Sequence, residues 1–293
     1  MNRFLAKCVV FLFPVLLVLG GVELYARHLP NSYKQKEQWM QQHAGEVETL
    51  ILGNSHGLFG IRPELFPKKT YNLCNVSQTF EYDEYLLKRY LHACKSLKDI
   101  ILIVDNSNLF DSPLEQTESF RCTYYRLYMG YPKHRLWSKY GLELLHTKAL
   151  IEKLQRGGDS CEVTGWNSSY TKDSRLPENL SYTTAISTAT KHQCKDWRDA
   201  TENEATLNRI VALCKSRHIR LVLVQAPVTR AYYSQISKKQ LAFINHCAKS
   251  NGIVCVDYSL DSHFSDDDFF DVDHLADQGA TKWSKLLAER FFD

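Results

Sequence analysis

Residues 49–57 read TLILGNSHG, an apolar run that ends in a short polar turn between two glycines. A nearly continuous apolar run of this length is typical of a strand buried on both faces. In an open parallel sheet, ligands bind beyond the carboxyl ends of the strands, which is where Ser55 would then lie. A serine directly after a strand is also a common helix N-cap, so this stretch alone leaves both interpretations open.

Four further runs share the apolar, β-branched character of residues 49–53. They are Tyr71–Val76, Ile100–Val104, Leu221–Gln225 and Ile253–Val256. Stretches with helical spacing of apolar residues lie between and after them, at Tyr82–Ser96, Asn203–Arg217, Lys239–Lys249 and Gln278–Phe291. The alternation predicts an α/β fold with a five-stranded parallel sheet and right-handed crossovers. Residues from about 111 to 199 break the rhythm and are expected to form one long insertion that shapes a substrate pocket.

The N-terminus predicts a membrane anchor. Arg3 and Lys7 precede the apolar run Cys8–Val22, and the segment Phe4–Ala26 is long enough to cross a bilayer. We therefore expect an uncleaved signal anchor over residues 1–27, a linker or helix over 28–47, and an α/β domain over 48–293. The basic flank places that domain on the extracytoplasmic side, the periplasm in a Gram-negative cell. Cleavage after Ala26 and a buried N-terminal helix are the alternatives.

Composition excludes several classes of protein. The 293 residues include 44% apolar and 24% charged residues, which is ordinary for a globular chain and unlike a disordered, collagen-like or multi-span membrane protein. The net charge is +3, and residues 1–30 hold three basic residues against one acidic, so the remaining chain is nearly neutral. No basic field remains for nucleic acid.

Nine cysteines give no clear redox signature. Eight lie outside the apolar N-terminal run, an even number that permits disulfides, and Cys247 and Cys255 are a candidate pair. No cysteine or histidine spacing fits a structural zinc site, so no metal or other cofactor is expected.

The sequence near the C-terminus supplies partners for a nucleophilic serine. Asp271 and His274 are three residues apart, so one turn of backbone can bring the carboxylate to the imidazole. An aspartate that fixes the imidazole, together with Ser55 as nucleophile, would form a catalytic triad. A metal site built from His263, Asp271, Asp273 and His274 and a solvated acidic loop are the alternatives.

These motifs resemble those of the SGNH/GDSL hydrolase superfamily. The turn after the first strand, residues 53–56, is similar to the first block of the family. Residues 71–77 are similar to the second block, with Ser77 where the family has a glycine. The residues after the third strand are similar to the third block, with Asn108 as its asparagine and Asn106 as the fallback. Asp271 and His274 match the fifth block.

The resemblance implies a three-layer α/β/α, flavodoxin-like SGNH fold. It also implies that Ser55 is the nucleophile, that His274 is the general base, and that Asp271 orients His274. The oxyanion hole would consist of the amides of Ser55 and Ser77 and the side chain of Asn108. His56 would border the site or serve as a core or capping residue.

Membrane-anchored members of this superfamily act on envelope polysaccharides. The resemblance therefore implies an esterase or O-acyltransferase whose substrate is an acylated carbohydrate, with acetyl groups, or another ester. A catalytically inactive envelope protein that binds glycan or a protein partner is the alternative, because Ser77 departs from the family pattern. Trp137, Trp166 and Tyr170 of the insertion could stack on sugar rings, although packing within the insertion is expected first.

Overall fold

The structure is a computed structural model that describes residues 2–132, 140–167, 170–250 and 252–292. Its strands are β1 (Thr49–Leu52), β2 (Thr70–Asn72), β3 (Asp99–Ile103), β4 (Arg220–Gln225) and β5 (Val254–Asp257). Its α-helices are α1 (Asn2–His28), α2 (Ser32–His43), α3 (Ser55–Gly60), α4 (Phe80–Tyr90), α5 (Asn106–Phe110), α6 (Leu114–Thr117), α7 (Ser119–Met129), α8 (Thr147–Arg156), α9 (Tyr182–Lys191), α10 (Trp197–Ser216), α11 (Arg230–Tyr233), α12 (Lys238–Ser250) and α13 (Asp277–Phe292). Short 3-10 helices lie at Ala44–Glu46, Pro63–Leu65, Glu143–Leu145, Lys172–Ser174, Pro177–Leu180 and Asp266–Asp268.

The five strands form one parallel sheet in the order β2-β1-β3-β4-β5. The prediction of an α/β fold with a five-stranded parallel sheet is confirmed. Strand β1 pairs with β2 on one side and with β3 on the other, where Leu52 faces Leu102. The chain therefore changes its winding direction between β1 and β3. Such a switch point opens a crevice at the carboxyl edge of the sheet, the usual place for a ligand.

Helices cover both faces of the sheet. On one face, Ile51, Ile101 and Val222 pack in one buried cluster with Trp283 of α13 and with residues of α3. Successive side chains of a strand point to opposite faces, so Leu50 faces the other side, and it is also fully buried. There α10 packs on β4 and on α4. Burial on both faces explains the continuous apolar runs that predicted these strands.

The chain divides into two compact units. One consists of Met1–Glu37 and Glu115–Ser160, and the other of Gln38–Leu114 and Cys161–Asp293. This differs from the expected division into an anchor (1–27), a linker (28–47) and one domain (48–293) with a single insertion (111–199). The first half of that insertion folds with the N-terminal helices, and the second half folds with the sheet.

Helix α1 is long and apolar enough to cross a membrane. Within its segment Lys7–His28, the most apolar window of 18 residues has a mean hydropathy of 2.3, and almost none of that window is buried inside the protein. This exposure is unlike that of a core helix, which hides its apolar residues inside the protein.

None of the nine cysteines, all of which lie in the described part of the chain, forms a disulfide. The candidate pair Cys247 and Cys255 is not formed. The Cys247 thiol lies against Glu204, and the Cys255 thiol lies against the side chain of Gln225.

Candidate active site

The turn after β1 is shaped by Gly53. Its φ angle is +130°, and a Cβ at this position would lie 2.6 Å from the Cβ of Ile103, so a side chain here would collide with β3. Asn54 then caps helix α3, because its side-chain oxygen accepts the backbone N–H of His56 at 3.0 Å. Ser55 is thus the first helical residue, at the carboxyl end of β1.

The structure brings the three predicted triad residues together. The Oγ atom of Ser55 lies 2.8 Å from Nε2 of His274, and both carboxylate oxygens of Asp271 lie 3.0 Å from Nδ1 of the same ring. Oδ1 of Asp271 also accepts the backbone N–H groups of His274 at 2.7 Å and Asp273 at 3.1 Å. This tight loop orients the carboxylate, so the imidazole can take the proton of Ser55 while Asp271 stabilises the charge that forms.

The triad is open to solvent. The side chains of His274 and Asp271 are 17% and 24% exposed, and Ser55 is half-buried. Burial alone would lower the pKa of His274, but the carboxylates of Asp271 and Asp273 outweigh burial and raise that pKa above its ordinary value. A base with a raised pKa accepts a proton from a hydroxyl more readily, provided that it is deprotonated at the working pH.

A second, buried row of charges lies behind the triad. The Asp273 carboxylate is 4% exposed; Oδ1 lies 3.4 Å from Nδ1 of His274, and Oδ2 lies 3.5 Å from Nε2 of His56. Nδ1 of His56 in turn lies 2.6 Å from Oδ2 of Asp105. We call Asp273, His56 and Asp105 the inner row.

The inner row holds one positive charge between two negative charges. Burial lowers the pKa of His56, but Asp105 and then Asp273 outweigh burial and raise it to about 10. Burial also opposes ionisation of the two carboxylic acids, yet the facing histidines hold the pKa of each well below its usual range. The three groups are therefore ionised together, as buried charges require.

The inner row ties the ends of β1 and β3 together. Nδ2 of Asn54 donates to Asp105 at 3.2 Å and to the hydroxyl of Ser107 at 2.6 Å. His192 lies further out, with Nε2 at 3.8 Å from Oδ2 of Asp273. No sequence motif indicated a role for Asp105 or His192. Asp105 comes soon after the end of β3. Functional residues of a parallel sheet lie beyond the carboxyl ends of its strands, and this criterion, which indicated Ser55 after β1, also indicates Asp105.

Ser77 adopts the backbone conformation of a glycine. Its φ angle is 55°, in the left-handed region that side chains disfavour. It lies in a turn closed by the bond from the Gln78 N–H to the Asn75 carbonyl at 3.2 Å, and the Asn75 N–H donates to the Gly53 carbonyl at 3.3 Å. This second bond places the turn beside the nucleophile.

Two backbone N–H groups remain as candidate oxyanion donors. Within the described ranges, the amides of Ser55 and Ser77 have no hydrogen-bond acceptor in the protein. An amide in the first turn of a helix has no intrahelical partner, which explains the free N–H of Ser55.

Asn108 forms structural hydrogen bonds within its own turn. Its side-chain oxygen accepts the N–H of Asp105 at 3.0 Å, its Nδ2 donates to the Ile103 carbonyl at 2.7 Å, and the residue is 1% exposed. It thereby completes the capping box of helix α5. The fallback Asn106 is also engaged, since its Nδ2 donates to the His192 carbonyl at 3.2 Å and its oxygen accepts from Gln240 at 2.8 Å. A side-chain amide carries two N–H donors and Asn108 uses one of them in its bond to Ile103, so its assignment to the oxyanion hole stays a prediction.

Aromatic residues form one wall of the site. The ring of Tyr170 stacks on Phe59 and Phe270, with ring centres 4.0 and 4.3 Å away, and meets His274 edge-on at 5.7 Å. Trp166 is a core residue, 4% exposed, whose Nε1 donates to the Phe59 carbonyl at 2.9 Å. Trp137 lies outside the described residues.

A metal site would use a different set of ligands from the predicted one. In the described part of the chain, His56, Asp273 and His274 offer ligand atoms within 4.8 Å of one another. His263 does not join them, and its Nδ1 lies 2.5 Å from Asp261. Both ring nitrogens of His274 already face Ser55 and Asp271, so a metal here would displace the triad contacts.

Comparison with protein-family models and with curated proteins identifies no relative. No protein-family model matches the chain, and no curated protein matches it. The family resemblance of the motifs therefore stays a prediction, and the function must be inferred from the geometry of the site.

Proposed function

We propose that the chain is a serine esterase or O-acyltransferase of the SGNH type, with Ser55 as nucleophile. The observation that supports this most directly is the 2.8 Å contact from Ser55 Oγ to His274 Nε2, backed by Asp271 at 3.0 Å from Nδ1. The nucleophile, the base and the orienting acid thus form one chain of hydrogen bonds in a site that is partly exposed to solvent.

The chemistry follows from this line of residues. His274 takes the Ser55 proton as Oγ attacks the acyl carbon, and Asp271 stabilises the imidazolium. The amides of Ser55 and Ser77 are the proposed donors to the developing oxyanion. When the intermediate collapses, the C–O bond to the leaving alcohol breaks, His274 protonates that oxygen, and the acyl group stays on Ser55.

The second half-reaction decides between hydrolysis and transfer. His274 deprotonates either water or an acceptor hydroxyl, whose oxygen attacks the acyl carbon and releases Ser55, which takes back the proton. We propose envelope carbohydrate carrying acetyl esters as the substrate, because of the resemblance to anchored superfamily members. The Tyr170 wall beside His274 fits a sugar or an acyl group equally well.

We also propose that α1 is retained as an anchor and that the site lies outside the cytoplasm. Glu23 near the end of α1 is buried, and its carboxylate accepts the backbone N–H groups of Glu143 at 3.2 Å and Leu144 at 3.0 Å. Cleavage after Ala26 would remove this acceptor and leave both amides unpaired, at a cost of about 1–3 kcal/mol each where buried. Arg3 and Lys7 set the orientation.

A binding role without catalysis is the second candidate. The observation that favours it is the use of both Asn106 and Asn108 in structural hydrogen bonds, which reduces the number of side-chain N–H groups that can serve an oxyanion hole. Removal of one oxyanion donor costs an active serine enzyme about 10²–10³ in kcat, so this difference is large enough to matter.

Turnover of p-nitrophenyl acetate by the purified full chain distinguishes these functions. We expect hydrolysis that is lost in Ser55→Ala and kept in Ser234→Ala, a matched change of an exposed serine outside the site. A chelator should not change the rate. Activity that survives Ser55→Ala and disappears with chelator would instead indicate metal chemistry at His56, Asp273 and His274. No turnover in any form would favour the binding role.

A further inference from the structure

The end of helix α1 is clamped to a segment more than a hundred residues later. Glu23 accepts the N–H groups of Glu143 and Leu144, and Nε of Arg27 donates to Glu23 at 2.7 Å. Nη2 of the same arginine donates to the Gly141 carbonyl at 2.8 Å. Two charged side chains and three backbone groups therefore fix residues 141–144 against the last two turns of α1.

The clamped segment is itself rigid. Glu143 belongs to the 3-10 helix Glu143–Leu145, and its carboxylate forms an ion pair with Lys153 of α8 at 2.8 Å. Both side chains are at most 5% exposed, and the hydroxyl of Tyr128 donates to the same carboxylate. Removal of one partner from a buried, hydrogen-bonded ion pair is strongly destabilising, so this pair holds the segment in place.

Apolar side chains on the clamped segment and on the adjoining end of α1 are exposed at the surface of the protein. Tyr140, Leu142 and Leu145 are 55%, 36% and 40% exposed, and Leu24 and Tyr25 on the adjoining turn of α1 are 62% and 61% exposed. We call these five residues the clamp surface. These residues belong to the clamped segment and to the turn of α1 that holds it, so exposed apolar side chains lie at one level along the helix, which indicates a contact surface.

The position of the clamp surface along α1 sets its depth in a bilayer. A helix rises about 1.5 Å per residue, so the stretch from Phe4 to Val22 spans about 28 Å, close to the thickness of a hydrocarbon core. Glu23 then lies at the hydrocarbon boundary. Leu24, Tyr25 and the clamped segment fall within about one helical turn, or 5 Å, of it. That is the level of the lipid headgroups, where tyrosine is enriched.

We propose that the clamp surface inserts into the headgroup region of the membrane that α1 crosses. This inference rests on the proposed anchoring of the chain by α1. The occupant is lipid because the surface is continuous with the membrane-spanning helix and combines tyrosine with leucine, as interfacial segments do. The clamp surface is then a second point of membrane contact beside α1. Two points of contact fix the height and the tilt, relative to the bilayer, of the compact unit that contains α1.

Photo-crosslinking of the full chain in phosphatidylethanolamine–phosphatidylglycerol vesicles tests the proposal. The photoreactive residue p-benzoylphenylalanine replaces Leu142 or Leu145, or Val18 as an in-membrane control. The matched control is Gln155, exposed in the last turn of α8. Helix α8 leads away from the clamp, because Asp159 beyond its end bonds to Ser32, past the end of α1.

We expect lipid adducts at Leu142 and Leu145 with a yield close to that at Val18 and several-fold above that at Gln155. Adducts at Val18 together with background yield at Leu142 and Leu145 would overturn the proposal and leave the anchor intact. Absence of lipid adducts at Val18 would instead overturn the anchoring itself. Protein adducts at Leu142 or Leu145 would show that another polypeptide covers the surface, which also contradicts the proposal.

Discussion

Two carboxylates face Nδ1 of His274, and we expect their removal to affect catalysis very differently. Asp271 presents both oxygens at 3.0 Å, and no second cation faces its carboxylate within 4.0 Å in the described ranges. Asp273 lies at 3.4 Å and shares its charge with His56, which lies 3.5 Å away. The isosteric variants Asp271→Asn and Asp273→Asn remove one charge each and keep the shape of the side chain.

The distances from the two carboxylates to Nδ1 of His274 give the expected size of each loss in rate. With an effective dielectric constant of about 20, a carboxylate 3.0 Å from an imidazolium stabilises the protonated ring by about 5–6 kcal/mol. If this stabilisation acts fully in the transition state, it corresponds to roughly 10⁴ in rate. The same arithmetic gives about 5 kcal/mol for Asp273 at 3.4 Å. Protonated His56, whose ring centre lies 5.1 Å from that of His274, repels by about 3 kcal/mol. Asp105 still lies 2.6 Å from His56 when Asp273 is neutralised, but if the buried imidazolium then releases its proton, attraction and repulsion disappear together. The net loss is then about 1.5–2 kcal/mol, or roughly tenfold.

The assay is kcat/KM for p-nitrophenyl acetate, with thermal unfolding as a control for folding. We expect a loss of roughly 10⁴ for Asp271→Asn and roughly tenfold for Asp273→Asn. If Asp271→Asn kept its rate within tenfold of wild type, the assignment of Asp271 as the orienting acid would be refuted. An equally large loss in a well-folded Asp273→Asn would show that Asp105 alone keeps His56 protonated.

Three further predictions concern stability. Ser77→Gly should keep activity and stabilise the fold by up to about 1 kcal/mol in urea unfolding, because a side chain at positive φ is strained, whereas Ser77→Val should destabilise it by about 1–2 kcal/mol. Because the folded-state pKa of His56 is about 10 against an ordinary value of 6.5, its protonation stabilises the fold at low pH. The free energy of unfolding should therefore fall as the pH rises from 6.5 to 10, and His56→Gln should remove that slope. Burial raises the pKa of Asp83 from 3.8 to about 7, so stability should also fall across that range, and the fall should disappear in Asp83→Asn. A slope that the variant retains would contradict the corresponding assignment.

The features that depend on a local sequence pattern, the strands above all, could be predicted from the sequence. All five strands were found because a strand buried on both faces needs an unbroken apolar run, although β2 ends at Asn72 rather than Val76. It ends early because the Asn72 side chain donates to the carbonyls of Gly57 and Ile61 and accepts the N–H of Cys74, which turns the chain. The proximity of Ser55, Asp271 and His274 follows from strand ends meeting at one edge of the sheet.

The hydrogen-bond partner that each side chain takes among several nearby groups could not be predicted in this way. Asn108 has the right position after β3, but its amide bonds to the backbone of its own turn. The inner row requires His56, Asp105 and Asp273 from three distant segments, and no spacing in the sequence links them. The division into two units depends on contacts such as Glu23 with Leu144, which likewise lie far apart in the chain.

The proposed function requires that His274 activates Ser55 as a nucleophile. The most direct test of this activation is labelling of the full chain with a fluorophosphonate, followed by intact-mass analysis and peptide mapping. We expect one adduct per chain, on the peptide that contains Ser55, absent from Ser55→Ala and formed far more slowly in His274→Ala. No adduct on a folded wild-type chain, or an equal adduct on Ser55→Ala, would contradict it.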